Sequence, residues 1–307
     1  MIEAKSLCKH YGGFTAVADL SFIVEAGQVL GFLGPNGAGK STTMKMLTGF
    51  LTPTSGQALI NGVDISENSV EARKHIGYLP EGAPSYGEMT VRQFLTFVAR
   101  ARLIPKDEIN ASVDRAIEKL NLTAVSHQAI ETLSKGFKRR VGLAQAIIHD
   151  PQILILDEPT DGLDPNQKHE VRHLIRDMAR DKIIVISTHI LEEVEAVCNR
   201  VMIIADGRLL ADDTPHGLVA RSRYNNSVSM VVDEAEKVAS ILSELPEVSR
   251  AELDEGELTL FPSGEQGLFE AITAAIAENH WEVSALRLEA GRLDEVFRSI
   301  TRGETAA

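Results

Sequence analysis

Apolar and polar positions alternate between two periods along this chain. Leu20, Phe22 and Val24 alternate with polar neighbours, the mark of a half-buried strand, and Ala26-Gly27 makes the turn after them. Residues 1–30 therefore read as short strands. Residues 29–33 form a compact apolar strand; glycines follow, then a helical stretch over 41–47. Further strands are expected over 57–61 and 76–79. Between 90 and 150 the period becomes helical. Thr90 and Gln93 fit a capping box, with Phe94, Leu95 and Val98 forming one apolar face behind them. Two more helices are expected over 107–120 and 134–149. Strand and helix then return: an apolar strand over 153–156, a helix over 167–180 and a buried strand over 183–186. A hairpin turn falls at Asp206-Gly207. Buried strands alternating with helices imply a largely parallel sheet covered on both faces.

Around 215–226 the pattern breaks. Beyond it the order is strand 227–232, helix 234–244, strand 247–254, strand 256–261, helix 266–279, strand 281–287 and helix 292–301. That βαββαβ order predicts a small α+β domain of ferredoxin-like type. The expected division is 1–219 and 220–307, with a helical subdomain at about 88–150.

The chain has 307 residues, 24% of them charged, and a net charge of −13. That balance argues against nucleic acid and anionic lipid as direct partners. No apolar run reaches the roughly 18 residues that span a bilayer, so direct membrane insertion is not expected. Met1 to Lys5 does not read as a signal peptide. Cys8 and Cys198 lack metal-ligand spacing and read as two thiols.

Candidate chemistry concentrates in two places. Gly34-Pro35-Asn36-Gly37-Ala38-Gly39-Lys40-Ser41 fits G-x-x-x-x-G-K-[ST] between an apolar strand and a helix, with Thr42 continuing into that helix. Glycines let the backbone wrap phosphates, Lys40 supplies a charge, and Ser41 can ligate Mg²⁺. The strand over 153–156 ends in Asp157-Glu158. A buried parallel strand delivers such residues to the ligand edge, where Asp157 can hold Mg²⁺ and Glu158 can act as general base.

With Leu133-Ser134-Lys135-Gly136-Phe137, Asp157-Glu158-Pro159-Thr160, Gly162-Leu163-Asp164-Pro165 and Ser187-Thr188-His189 in this order, the chain resembles an ATP-binding-cassette (ABC) ATPase over about residues 2–215. The resemblance implies an α/β P-loop cassette with a mostly parallel core, an antiparallel β region and a helical subdomain. It implies ATP and Mg²⁺ as ligands, and catalytic roles for Lys40, Glu158 and His189. Tyr11 would stack on adenine. Ser134 and Gly136 would contact ATP held by a second subunit, and Asp164 would lie at the dimer seam. Glu81 stands where the family usually has glutamine and keeps an oxygen for Mg²⁺ or water. Lys135 and Phe137 depart from the usual glycine and glutamine. Without the resemblance, Tyr11 reads as a turn aromatic, Ser134 as a plain N-cap and His189 as a helix-start residue. Lys138-Arg139-Arg140 reads as a solvated helix face.

The wording around 134–146 and 162–167 is similar to single-cassette bacterial exporter ATPases of the gliding-motility and multidrug types. That likeness implies a motor working as a dimer on a separate permease, peripheral on the cytoplasmic face of the inner membrane. The segment 81–90 would receive the permease. The alternative is a soluble ATPase that remodels a protein complex. The 220–307 domain reads either as a regulatory or dimer-steadying module or as a structural appendage.

Overall fold

A computed structural model describes residues 1–264 and 267–302. The chain divides into two compact units, Met1–Thr214 and Pro215–Ala307. In the first, β1 (Ile2–Tyr11) and β2 (Phe14–Val24) form an antiparallel pair. They are ten and eleven residues long, longer than the short strands expected from sequence. After β3 (Val29–Leu33) come α1 (Lys40–Leu47), β4 (Ser55–Ile60), β5 (Val63–Asp64), α2 (Ser69–Lys74) and β6 (Ile76–Leu79). The helical stretch holds α3 (Val91–Ala101), α4 (Ile109–Lys119) and α5 (Lys135–Ile147). It is followed by β7 (Ile153–Asp157), α6 (Pro165–Met178), β8 (Ile183–Thr188), α7 (Leu191–Val197), β9 (Arg200–Ala205) and β10 (Arg208–Asp213).

Local chemistry sets these boundaries. Thr90 and Gln93 form a complete capping box at α3. Asp164 caps α6 with Pro165 at its first turn, the position where a missing N–H costs nothing. The four strands β3, β6, β7 and β8 are buried along their whole length. They belong to a six-stranded sheet of order β10-β9-β3-β8-β7-β6, parallel except for the β9–β10 hairpin. A second, antiparallel sheet runs β2-β1-β4-β5. One core joins the two sheets; within it Phe22 meets Phe32 edge to face at 5.2 Å.

The parallel arrangement positions the site. Strands β3, β6, β7 and β8 all point the same way, so the segments after Leu33, Leu79, Asp157 and Thr188 leave one edge of the sheet together.

The second unit opens with the short helix α8 (Pro215–Val219), inside the stretch where the sequence pattern breaks. Then come β11 (Asn225–Val232), α9 (Ala235–Leu242), β12 (Val248–Asp254), β13 (Glu257–Pro262), α10 (Leu268–Asn279), β14 (Val283–Ala290) and α11 (Leu293–Arg302). The expected helix start at 266 lies outside the described residues. The sheet order is β12-β13-β11-β14, antiparallel throughout, the split βαβ arrangement of ferredoxin-like domains. This unit has its own core, including Val228, Met230, Leu258 and Ile272.

Candidate functional site

The loop between β3 and α1 is built so that only glycine fits at two points. Gly39 has φ +101°, and a Cβ there would lie 2.4 Å from the Ala16 carbonyl oxygen. A Cβ on Gly34 would lie 2.2 Å from the Ile204 oxygen. The loop therefore presents bare backbone at the start of α1, whose first N–H groups have no intrahelical partners. Lys40 is 6% exposed, and its ammonium donates to the carbonyls of Gly34 at 2.7 Å and Pro35 at 3.1 Å. Burial lowers the Lys40 pKa, opposed by the charges of Glu158, Asp157 and Glu81.

A cleft of about 360 Å³ opens above this loop. Asn36, Gly37, Ala38, Gly39, Lys40, Ser41 and Thr42 line it, with Tyr11, Glu81 and Glu158. Tyr11 is half exposed, with the Lys9 ammonium 5.4 Å from its ring centroid. Phe14 and Ala16 also line the cleft and were not foreseen. Both follow from the long β1–β2 hairpin, whose length the alternation did not reveal.

The acidic pair sits at the sheet edge. Asp157 is fully buried, and its Oδ1 accepts from the Ser41 hydroxyl at 3.2 Å. Its Oδ2 is buried with no partner. A buried carboxylate oxygen left orphaned beside a serine hydroxyl suits a hard divalent cation. Among the described residues no group of three or more His, Cys, Asp or Glu could hold a metal. Ser41 and Asp157 would hold Mg²⁺ as two of its ligands, with phosphate oxygens and water completing its shell. Glu81 is exposed and lines the same cleft.

Glu158 has φ +51°, a left-handed conformation that is costly for a non-glycine residue and turns its side chain out of the strand direction. His189, at the end of β8, places Nδ1 3.0 Å from each Glu158 oxygen. Glu158 and His189 thus meet across neighbouring strand ends.

Ser134, Gly136 and Asp164 do not join this cleft. Ser134 caps α5, accepting from the Phe137 N–H at 3.3 Å. Asp164 caps α6, accepting from the Gln167 N–H at 2.9 Å. A Cβ on Gly136 would lie 2.2 Å from the Gln167 Oε1. The starts of α5 and α6 thus lie side by side, with Ser134 and Asp164 exposed and Gly136 buried.

The expected solvated face at 138–140 is corrected in part. Arg139 is 4% and Arg140 8% exposed. Arg139 turns inward to the carbonyls of Asp157 and Glu158, whereas Arg140 pairs with Glu170 at 3.0 Å. A basic triplet on a helix gives no periodic signal that two of its members are buried, so its composition points to the wrong environment.

A phosphate loop opening α1, with an acidic strand end beside it, defines a P-loop nucleotide-binding domain. Residues 17–161 match the family described as ABC transporter. The chain is 39% identical over 236 residues to the "Probable multidrug ABC transporter ATP-binding protein YbhF" of Escherichia coli (strain K12). That match covers 76% of this chain and 41% of YbhF, so the chain spans well under half of that relative. It is 35% identical to the "Uncharacterized ABC transporter ATP-binding protein YhcH" of Bacillus subtilis (strain 168), over 81% of each chain. A solved ATP-binding subunit of an ABC transporter superposes with TM-score 0.66 at 30% identity, over 71% of this chain and 91% of that one. The chain belongs to the ABC transporter family, as an ATP-binding cassette.

Proposed function

We propose that this chain hydrolyses MgATP as the motor of a membrane exporter, working as a dimer on a separate permease. The observation that carries the reading is the convergence at one sheet edge of Lys40, the Ser41–Asp157 pair and the Glu158–His189 pair. ATP would lie along the phosphate loop with adenine on Tyr11. Mg²⁺, held by Ser41 and Asp157, would supply charge to the phosphate oxygens. Lys40 leaves its two carbonyl partners and turns its ammonium to the phosphates. Glu158 accepts a proton from the attacking water, and His189 orients that carboxylate. Ser134 and Gly136 of a second copy close over the γ-phosphate at the free start of α5. Glu81, which lines the same cleft, would offer an oxygen to the cation or to water.

Export and permease docking rest on two supports. YbhF carries a multidrug transporter name. The first unit also has an apolar groove of about 860 Å³, lined by Phe50, Val70 and Leu103, which are 71%, 69% and 78% exposed. Tyr86, in the segment expected to receive a permease, is half exposed and packs on Phe94 and Phe97. No helix among the described residues is long and apolar enough to cross a membrane, so a separate subunit would form the path. The Pro215–Ala307 unit would steady the dimer, with a shorter chain ending at Thr214 dimerising less strongly.

The test is to tag the chain at its C-terminus, solubilise native membranes in mild detergent and identify what co-purifies. A stoichiometric polytopic membrane protein supports the reading. Recovery from the soluble fraction alone overturns the transport assignment and favours a soluble ATPase acting on a protein complex.

A further inference from the structure

Strands β7 and β8 end side by side, with Asp157 opposite Ser187. Each strand feeds a loop holding half of one contact: Glu158 after β7 and His189 at the end of β8. The Glu158 N–H donates to the Ser187 carbonyl at 2.9 Å, the last backbone bond between the two strand ends. Past that point a side chain takes over. Glu193, in the first turn of α7, is 2% exposed. One of its oxygens accepts from the Thr160 hydroxyl, and the other accepts from the Thr188 hydroxyl at 2.8 Å. Thr160 lies two residues past Glu158, and Thr188 immediately precedes His189. The Thr188 oxygen also accepts from the Ile190 N–H at 3.1 Å, so the same hydroxyl shapes the turn into α7.

Glu193 makes no ion pair among the described residues; Lys168 and Arg172 act on it only from longer range. Burial pushes its carboxyl above the usual range. A buried acid without a cation partner is costly to fold. Packing alone would be served by an apolar side chain, whereas two acceptor oxygens on one rigid group can engage two hydroxyls at once.

We propose that Glu193 is a positioning residue: by bridging Thr160 and Thr188 it holds the two loops in the register that brings His189 onto Glu158. The proposal rests on the reading of Glu158 as the base.

The test compares wild type, Glu193→Ala, Glu193→Gln and Thr160→Val in the full chain, by steady-state and single-turnover ATP hydrolysis. Each is repeated in a His189→Ala background. The expected result is a kcat lowered about 10- to 100-fold by Glu193→Ala with KM within about twofold, and a smaller loss for Glu193→Gln. In the His189→Ala background Glu193→Ala should lower the rate by less than about threefold, because the contact it supports is already gone. An equal loss in both backgrounds, or lower thermal stability with unchanged kcat, overturns the proposal. If Glu193→Ala fails to fold, Thr160→Val carries the same comparison, since it keeps the carboxylate and its Thr188 contact. Hydrogen exchange gives a readout free of turnover. Thr160→Val should raise exchange jointly over 158–164 and 187–190, and unchanged exchange there overturns the clasp. A wild-type chain with no ATP turnover would sink the proposed function, leaving the exchange result to decide the clasp alone.

Discussion

Arg139 donates from a single guanidinium nitrogen to the carbonyl oxygens of both Asp157, at 3.0 Å, and Glu158. A second nitrogen reaches the Pro80 carbonyl at 3.4 Å. One buried side chain on α5 thereby ties the helix opened by Ser134 to the end of β7 and to the segment carrying Glu81. Burial pulls the Arg139 pKa below its usual value, while Asp161, Asp157 and Glu158 favour its charged form. Arg139→Ala should destabilise the fold by about 2–4 kcal/mol, because charge-assisted bonds are lost and buried carbonyls are left unpaired. It should lower kcat more than KM. Arg139→Lys should recover little of either, since a point charge cannot span the same carbonyls. Urea unfolding and ATPase assays on both variants check this; a Lys variant equal to wild type would show that the guanidinium fork is dispensable.

The Glu158–His189 pair predicts separable defects. Glu158→Gln should keep ATP binding and lower kcat at least about 100-fold, or roughly 3 kcal/mol of barrier. The trapped ATP should hold two copies together, visible as an ATP-dependent dimer on gel filtration. His189→Ala should lower kcat comparably while leaving the carboxylate in place. Near-normal turnover by Glu158→Gln would remove this residue as the base.

Much of the cassette was legible because burial and period coincide in it. Residues 29–33, 153–156 and 183–186 are apolar throughout, and each lies in a strand buried on both sides. Turn and cap chemistry marked Thr90 and Asp206-Gly207 correctly. Elements that are short or only partly buried escaped notice. The six-residue α2 has Ala72 as its single buried residue, and β5 has two residues. The seven-residue α7 had no predicted range, only His189 as an alternative helix start, and Glu193 was not singled out, because an acid in a first helical turn is ordinarily solvated there. Arg139 was hidden in the same way by its basic neighbours. Tyr11, Glu81 and the phosphate loop share one cleft, whereas Ser134, Gly136 and Asp164 sit apart from it; a linear motif order cannot say which residues meet within one chain.

The phosphate loop makes a steric prediction. Gly39→Ala would place a methyl 2.4 Å from the Ala16 oxygen at a φ of +101°. Strain of about 1–3 kcal/mol should fall directly on the phosphate cradle. A fluorescent ATP analogue should bind at least about tenfold more weakly, with the melting temperature also lowered. Unchanged affinity would mean that the β1–β2 hairpin carrying Ala16 yields without disturbing the loop.

His149 supplies a pH dependence that does not involve the site. Its Nε2 lies 3.1 Å from the Ile76 carbonyl, to which it donates, so the neutral ring has Nδ1 unprotonated; that atom is buried and unpartnered. Burial pushes the His149 pKa down to about 4, helped by Arg102 and Lys182 and opposed by the Ile76 bond and Asp150. The folded pKa is thus depressed below the ordinary value of about 6.5, and the unfolded chain binds the proton more readily between these two values. Stability from the neutral ring is present above pH 6.5 and is lost as pH falls toward 4, by about 2–3 kcal/mol in all. His149→Gln should flatten the acid limb of a stability–pH curve by that amount. It can still donate one hydrogen bond to Ile76 but has no group to protonate in this range. Denaturation at pH 7.5 and at pH 4.5 on both proteins measures it, and equal slopes would assign the acid loss to carboxylates such as Asp150, held low by its bond to Lys182.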